Sequence, residues 1–265
     1  MKQSSLMAVL LFISAQMAFS QDWVLTNSGT NDWYCVASSA NGNTLIAGQW
    51  GGDVAVSTNA GAAWTTNIPG GYWSSVAASA DGTTLLAAQA PGDVFLSTNS
   101  GATWVSTNLP VMYWGSVAMS ADGRVMAAAT PLDSSLEFGG SVFCSTNSGG
   151  TWTSNSVSCA CGVAMSADGR KIFVAAAEHA CYSTNFGASW MVMTSAPTVY
   201  AIASPSQYIA SSADGNTLIL CVSEVSEDTS SSDIIVSTNC GNAWNLTSLP
   251  ESGWTFVAAS ADGKR

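Results

Sequence analysis

Seven side chains stand out from a background rich in Ser, Thr, Asn, Gly and Ala: Trp50, Asp53, Asp93, Asp133, Glu137, Glu178 and His179. Carboxylates cleave glycosidic bonds in pairs, roughly 6.5–9.5 Å apart when the reaction inverts the anomeric centre. They also supply the oxygens that the hard cation Ca²⁺ takes as ligands. Trp50 offers a large apolar ring with one polar edge. His179 is the sole histidine, beside Glu178; a lone loop histidine is more often simply solvated than catalytic. Glu224, Glu227, Asp228 and Asp233 fall in a Ser-rich run that reads as a solvated loop.

Whether these groups meet depends on the elements that carry them, and an internal repeat governs those elements. Ser57-Thr58-Asn59-Ala60-Gly61-Ala62-Ala63-Trp64 returns as Ser97 to Trp104, Ser145 to Trp152, Ser183 to Trp190 and Ser237 to Trp244. The spacings are 40, 48, 38 and 54 residues. A second marker alternates with it: Ser39-Ala40-Asn41-Gly42, then Ser-Ala-Asp-Gly ending at Gly82, Gly123, Gly169, Gly215 and Gly263. Within one unit, Ser75 to Ala80 alternates as a strand and Asp81-Gly82 signals a tight turn. Thr83 to Gln89 reads as a second strand, Pro91-Gly92-Asp93 as a break, Val94 to Ser97 as a third strand and Thr103 to Thr107 as a fourth. Four short antiparallel strands per roughly 40 residues describe a blade of a β-propeller.

The sequence therefore predicts an all-β propeller of four-stranded antiparallel blades, about five to six of them. The repeat units run approximately over residues 23–63, 64–103, 104–151, 152–189, 190–243 and a partial 244–265. Trp23 to Asn27 reads as a fourth strand and Trp254 to Ser260 as a first strand. A sequence that stops at Asp262-Gly263-Lys264-Arg265, inside an expected hairpin, reads as a ring cut at its C-terminus or closed imperfectly.

The repeated segment resembles the Asp box, or BNR repeat, whose pattern is Ser-x-Asp-x-Gly-x-x-Trp on the hairpin between a blade's third and fourth strands. The residues that carry the resemblance are Asn59, Gly61 and Trp64; Asn99, Gly101 and Trp104; Asn147, Gly149 and Trp152; Asn185, Gly187 and Trp190; and Asn239, Gly241 and Trp244. Asn stands where the family has Asp, which keeps the turn and removes the charge. The repeat style is similar to that of sialidase-superfamily propellers, of photosystem II assembly factors of the Ycf48 type, and of exported BNR proteins.

In such a propeller the second-to-third strand loops share a face with the loops between blades. That face collects Trp50, Asp53, Asp93, Asp133, Glu137, Glu178 and His179, together with Tyr72, Tyr113, Glu224 to Asp233 and Pro250-Glu251. Pro131 to Gly140 and Glu224 to Asp233 are insertions on it, and variable loops on a rigid scaffold are where function usually sits. Trp33, Trp73, Trp114 and Trp254 each begin a first strand. They read either as a platform for sugar rings or as wedges between blades, and a residue that repeats in register is usually architectural.

Residues 1–20, with Lys2, the apolar run Leu6 to Phe19 and Ala18-Phe19-Ser20, read as a secretory signal peptide. The remaining domain, 21–265, is then exported. A net charge of −11 argues against phosphate backbones and anionic membrane surfaces as partners. No later apolar run is long enough to predict insertion in a membrane. Seven Cys without a repeat position exclude a repeating disulfide framework, while an oxidising compartment allows one or two local bridges. Cys159-Ala-Cys161 lacks the paired ligands of a zinc site and reads as strand cysteine. No metal or cofactor motif emerges, although acids on the loop face could hold Ca²⁺.

Sialidases of the superfamily gather three Arg on one substrate carboxylate. Here Arg124, Arg170 and Arg265 follow successive Asp-Gly turns on the far face and cannot converge. The reading is an exported, non-catalytic binding or scaffold module that presents its loop face to a glycan or protein. The alternatives are a glycoside hydrolase fragment of the xyloglucanase type and an architectural repeat of a longer surface protein.

Overall fold

The computed structural model describes residues 32–131, 140–157, 160–176, 180–194, 209–226, 229–249, 254 and 256–265. Among them there is no helix. The chain runs through β1 (Trp33–Ser38), β2 (Leu45–Ser57), β3 (Thr65–Ala78), β4 (Leu85–Gln89), β5 (Val94–Ser97) and β6 (Val105–Ser106). It continues through β7 (Ser116–Met119), β8 (Met126–Thr130), β9 (Ser141–Ser145) and β10 (Thr153–Ser156). Then follow β11 (Ala160–Met165), β12 (Ile172–Ala176), β13 (Cys181–Ser183), β14 (Met191–Val192), β15 (Ile209–Ser211), β16 (Leu218–Ser226), β17 (Thr229–Ser237) and β18 (Asn245–Leu246).

Within each sheet every strand pairs antiparallel with the next, so every sheet is a meander. β7 to β10, β11 to β14 and β15 to β18 are separate four-stranded blades. β1 to β6 form one six-stranded sheet in which β3 serves two blades: Thr65, Thr66 and Ile68 pair with β2, while Trp73 to Ala78 pair with β4. Extra pairs Trp50↔Tyr72 and Gly52↔Gly71 keep the connection extended. β2 likewise spans both middle positions of its blade, switching partner from β1 to β3 around Gly51, whose φ of 79° suits glycine.

The middle strands explain the apolar runs in the sequence. Each lies between two neighbouring blades, so both faces are covered: Leu85 to Ala88 of β4 and all of β8 are buried. The core is correspondingly split into clusters between blades. One joins Val54, Val56 and Trp73 to Leu85; the next joins Leu86 and Val94 to Trp114 and Met126. The first strands neighbour one another near the centre, β3 against β7, β7 against β11 and β11 against β15. Val117 N–H donates to Ser75 Oγ and Val163 N–H to Ser116 Oγ, both at 3.1 Å, across those seams.

The two repeated turns lock together at one end of the blades. In each box Ser Oγ–H donates to the Asn side-chain oxygen, 2.9 Å for Ser57 and Asn59. The same Asn oxygen accepts Ala63 N–H at 2.8 Å, and Ser57 Oγ accepts Gly61 N–H at 2.9 Å. The residue after the Asn takes a left-handed conformation and donates its N–H to the Asp-Gly turn of its own blade, as Ser100 does to Thr83 O at 2.8 Å. The turns then join blade to blade. Ala40 N–H donates to Ala80 O, Ala80 to Ala121, Ala121 to Ala167, Ala167 to Ala213 and Ala213 to Ala261, at 2.7–3.0 Å. These five bonds form a backbone belt through six turns. The box indoles are half-buried. Trp104, Trp152, Trp190 and Trp244 each pack on the cluster shared with the preceding blade.

Several strand limits differ from the sequence reading. Ser79 and Ala80 lie beyond the end of β3, and Thr83 and Thr84 lie before β4, which starts at Leu85. The cause is the turn: Thr84 N–H donates to Ser79 Oγ and Thr83 N–H to Asp81 Oδ1. β6 shrinks to two residues because Ala102 N–H and Thr103 N–H are held by Asn99. Glu224 to Ser226 and Thr229 to Asp233 are strand rather than loop: β16 and β17 pair from Leu218↔Ser237 to Ser226↔Thr229. Residues 256–260 carry no strand although the Ser260 to Gly263 turn closes. Trp23 to Asn27 lies outside the described residues.

Candidate functional site

The opposite end of the blades carries the loops that read as functional. A cleft of about 410 Å³ at this end is lined by Tyr34, Trp50, Tyr72, Tyr113, Pro91 and Pro131, with Ser74, Ala90, Trp114 and Gly115. That volume falls within the usual size of small-ligand sites. Three blades contribute. Tyr34 comes from β1, Trp50 from the bend of β2, Tyr72 from β3, Pro91 from the loop after β4, and Tyr113 from the approach to β7. The loop after β4 and the segment leading to β7 are bridged directly: Gly92 and Met112 exchange backbone hydrogen bonds at 3.0 and 3.2 Å.

The rings form a row. Tyr34 and Trp50 lie 5.0 Å apart between centroids at 42°, and Trp50 and Tyr72 lie 5.3 Å apart at 60°. Phe256 meets the outer side of Tyr34 edge-on at 6.2 Å. Trp50 is 47 % exposed, Tyr72 50 % and Tyr113 47 %. Large apolar side chains left open together at one place mark an interaction site rather than a core.

Trp73 and Trp114 are wholly buried, and each hangs its indole N–H on the loop of the preceding blade. Trp73 donates to Gly52 O at 2.9 Å and Trp114 to Gly92 O at 3.1 Å. They are wedges, and the reading of the repeated Trp as an exposed sugar platform fails at both positions. Trp33 is partly buried against Trp64, centroids 6.4 Å apart.

Asp53 and Asp93 border the cleft rather than line it. Asp53 Oδ1 accepts Gly70 N–H at 3.1 Å, which steadies the segment leading to Tyr72. Asp93 follows Gly92 and is half-exposed. Asp32 is exposed, and its carbonyl accepts Trp50 N–H at 3.2 Å. Asp133, Glu137, Glu178 and His179 lie outside the described residues, as do Glu227 and Asp228. Asp233 sits in β17, half-buried, and is not among the residues that line the cleft. Among the described residues no three His, Cys, Asp or Glu side chains cluster at metal-binding distance. Cys35, Cys144 and Cys240 are free thiols, and burial pushes Cys35 and Cys144 up to about 12.

Tyr34 escaped the sequence reading, although a signal existed. It follows Trp33, where the equivalent residues after Trp73 and Trp114 are Ser74 and Gly115. A large ring at a repeat position otherwise held by small residues points to local use.

The opposite face carries the charge that is firmly placed. Ser hydroxyls donate at 2.6 Å to Asp81, Asp122, Asp168, Asp214 and Asp262. These bonds, aided by backbone N–H groups, hold all five carboxyls below the usual carboxylate range.

The described blades can be superposed on those of solved structures. An ancestral GH74 enzyme matches over 93 % of this chain and 35 % of its own, with 17 % identity and a TM-score of 0.70. The GH74 enzyme of Niastella koreensis matches over 89 % of this chain and 35 % of its own, with 19 % identity and a TM-score of 0.59. YCF48 bound to D1 peptide matches over 84 % of both chains at 11 % identity and a TM-score of 0.50. The chain is a β-propeller. It spans about a third of the length of either GH74 enzyme, and identities this low show the propeller fold alone. The sequence matches no protein-family model and no curated protein sequence.

Proposed function

We propose that this chain is an exported, non-catalytic propeller of the Asp-box type that binds a glycan or protein partner on its loop face. The observation that carries the reading is the cleft around Trp50, where four rings from three blades stand together and three of them are half open to solvent. The far face is committed to the belt of turns, so the loop face is the end left free for recognition. The described lining supplies rings and one serine rather than carboxylates, which supports binding over bond cleavage. Lys2, the apolar run Leu6 to Phe19 and Ala18-Phe19-Ser20 support export.

The test is a parallel screen of the chain and its Trp50→Ala variant on glycan and peptide arrays. The reading requires ligands that the wild type retains and the variant loses. Ligands held equally by both would refute the cleft as the site. Reducing-sugar release from β-glucans, abolished by Asp53→Asn or Asp93→Asn, would replace binding by hydrolysis.

A further inference from the structure

The shape of the cleft distinguishes between flat and ridged ligands. Its rings are tilted at 42° and 60° to one another, so together they present a ridged surface rather than one plane. A pyranose packs a flat face on an open ring and surrounds its hydroxyls with polar side chains. Here the side chains that line the cleft offer little beyond Ser74, the three phenols and the Trp50 edge, and Ser74 Oγ–H already donates to Ala88 O at 3.1 Å. Extended proline-rich segments have the complementary form. A polyproline II helix has three residues per turn, about 3.1 Å apart, and no internal hydrogen bonds. Its pyrrolidine rings enter slots between aromatic side chains while its free carbonyls accept bonds from indole N–H and phenol O–H groups. The half-exposed rings of Trp50, Tyr72 and Tyr113 carry such donors at their edges.

Charge selects further. Asp32, Asp53 and Asp93 sit within three residues of lining residues Tyr34, Trp50 and Pro91, and among the described residues no Lys or Arg lines the cleft. The chain as a whole carries −11. Such a border attracts cations and repels acidic peptides.

We infer that the Trp50 cleft receives a proline-rich segment of a partner protein in the polyproline II conformation, flanked by Lys or Arg. This rests on the loop-face reading above and names the occupant of that same site.

The experiment titrates the chain with a synthetic peptide of about ten prolines bearing two arginines at each end. Binding is followed by calorimetry and by tryptophan fluorescence. A Gly-Ser peptide of equal length and charge and a cello-oligosaccharide serve as the other arms. The proline peptide binds; the Gly-Ser peptide binds about tenfold more weakly or not at all, since charge without rings is insufficient. Trp50→Ala and Tyr113→Ala each weaken the proline peptide about tenfold, with far-UV circular dichroism unchanged. Raising NaCl from about 0.05 M to about 0.5 M weakens it several-fold. Trp50-dependent binding of the oligosaccharide without the proline peptide overturns the occupant and leaves the cleft as a site. Equal binding of both peptides overturns it too, by reducing recognition to charge. Binding of no arm, or binding indifferent to both variants, overturns the occupant and counts against the cleft.

Discussion

Replacing Trp114 with alanine should weaken the junction between the second blade and the third. The indole is fully buried in the cluster with Leu86, Val94, Val117 and Met126. A tryptophan moved from solvent to complete burial hides roughly 200 Å² of surface. At about 25 cal/mol per Å² that is about 5 kcal/mol, an upper bound because unfolded chains already bury some of it. The bond from its N–H to Gly92 O at 3.1 Å contributes about 1 kcal/mol more. Buried Trp-to-Ala changes cost about 3–5 kcal/mol, and we expect about 4. With urea slopes of about 2–3 kcal/mol per M, the midpoint should fall by roughly 1–2 M, measured by far-UV circular dichroism. Trp114→Phe keeps most of the ring and loses the donor, so its loss should be about 1–2 kcal/mol. Trp50→Ala should lose less than half of the Trp114→Ala value, because its ring is half exposed. A Trp114→Ala loss under about 1.5 kcal/mol, or one equal to that of Trp50→Ala, would refute the distinction between wedge and ligand ring.

Four further outcomes follow from the same geometry. Gly187→Ala should cost about 2–4 kcal/mol, because the position has φ 83° and an added Cβ would lie 2.5 Å from Cys144 Sγ; a neutral effect on thermal unfolding would count against the tight box-to-blade contact. Asp81, Asp122, Asp168, Asp214 and Asp262 have lowered folded-state pKa values, so their contribution is whole above the unfolded value near 3.9 and is lost as pH falls through the lower folded values. Melting temperature should therefore be flat from about pH 5 upward with respect to these groups and fall steeply below about pH 4, and Asp→Asn changes, as nature uses at Asn41, should flatten that fall. Cys35 and Cys144 should resist iodoacetamide at about pH 8 in the folded protein and react once it is unfolded in urea, as read by mass spectrometry. The protein recovered from a secreting host should begin at Gln21, and an N-terminus elsewhere would contradict the cleavage site.

Much of this propeller was legible in its sequence because its turns are local. The Ser, Asn and Gly of each box bond within four residues of one another, and the Ser and Asp of each Asp-Gly turn within two. The apolar runs of the middle strands announced themselves because both faces are covered by neighbours. Strand limits were less legible, since side-chain bonds inside the turns compete with the ladder for the same N–H groups, as at Thr83 and Thr84. The long β16–β17 ladder was hidden because Ser-rich composition resembles a solvated loop, and only pairing with Val222, Ser223 and Val225 draws it into the sheet.

The cleft belongs to the tertiary structure. Trp50, Tyr72 and Trp114 are the same kind of residue on paper, large and aromatic. The stacking of blades decides that Trp114 is sealed beneath Gly92 while Trp50 and Tyr72 stand open beside each other. Tyr34 and Tyr113 are separated by two blades of sequence and meet only because successive first strands lie side by side near the centre. Local hydrogen bonding, set by residues a few places apart, determined the turns and the repeat. Exposure and convergence depend on how the sheets pack across distances that no short sequence pattern encodes.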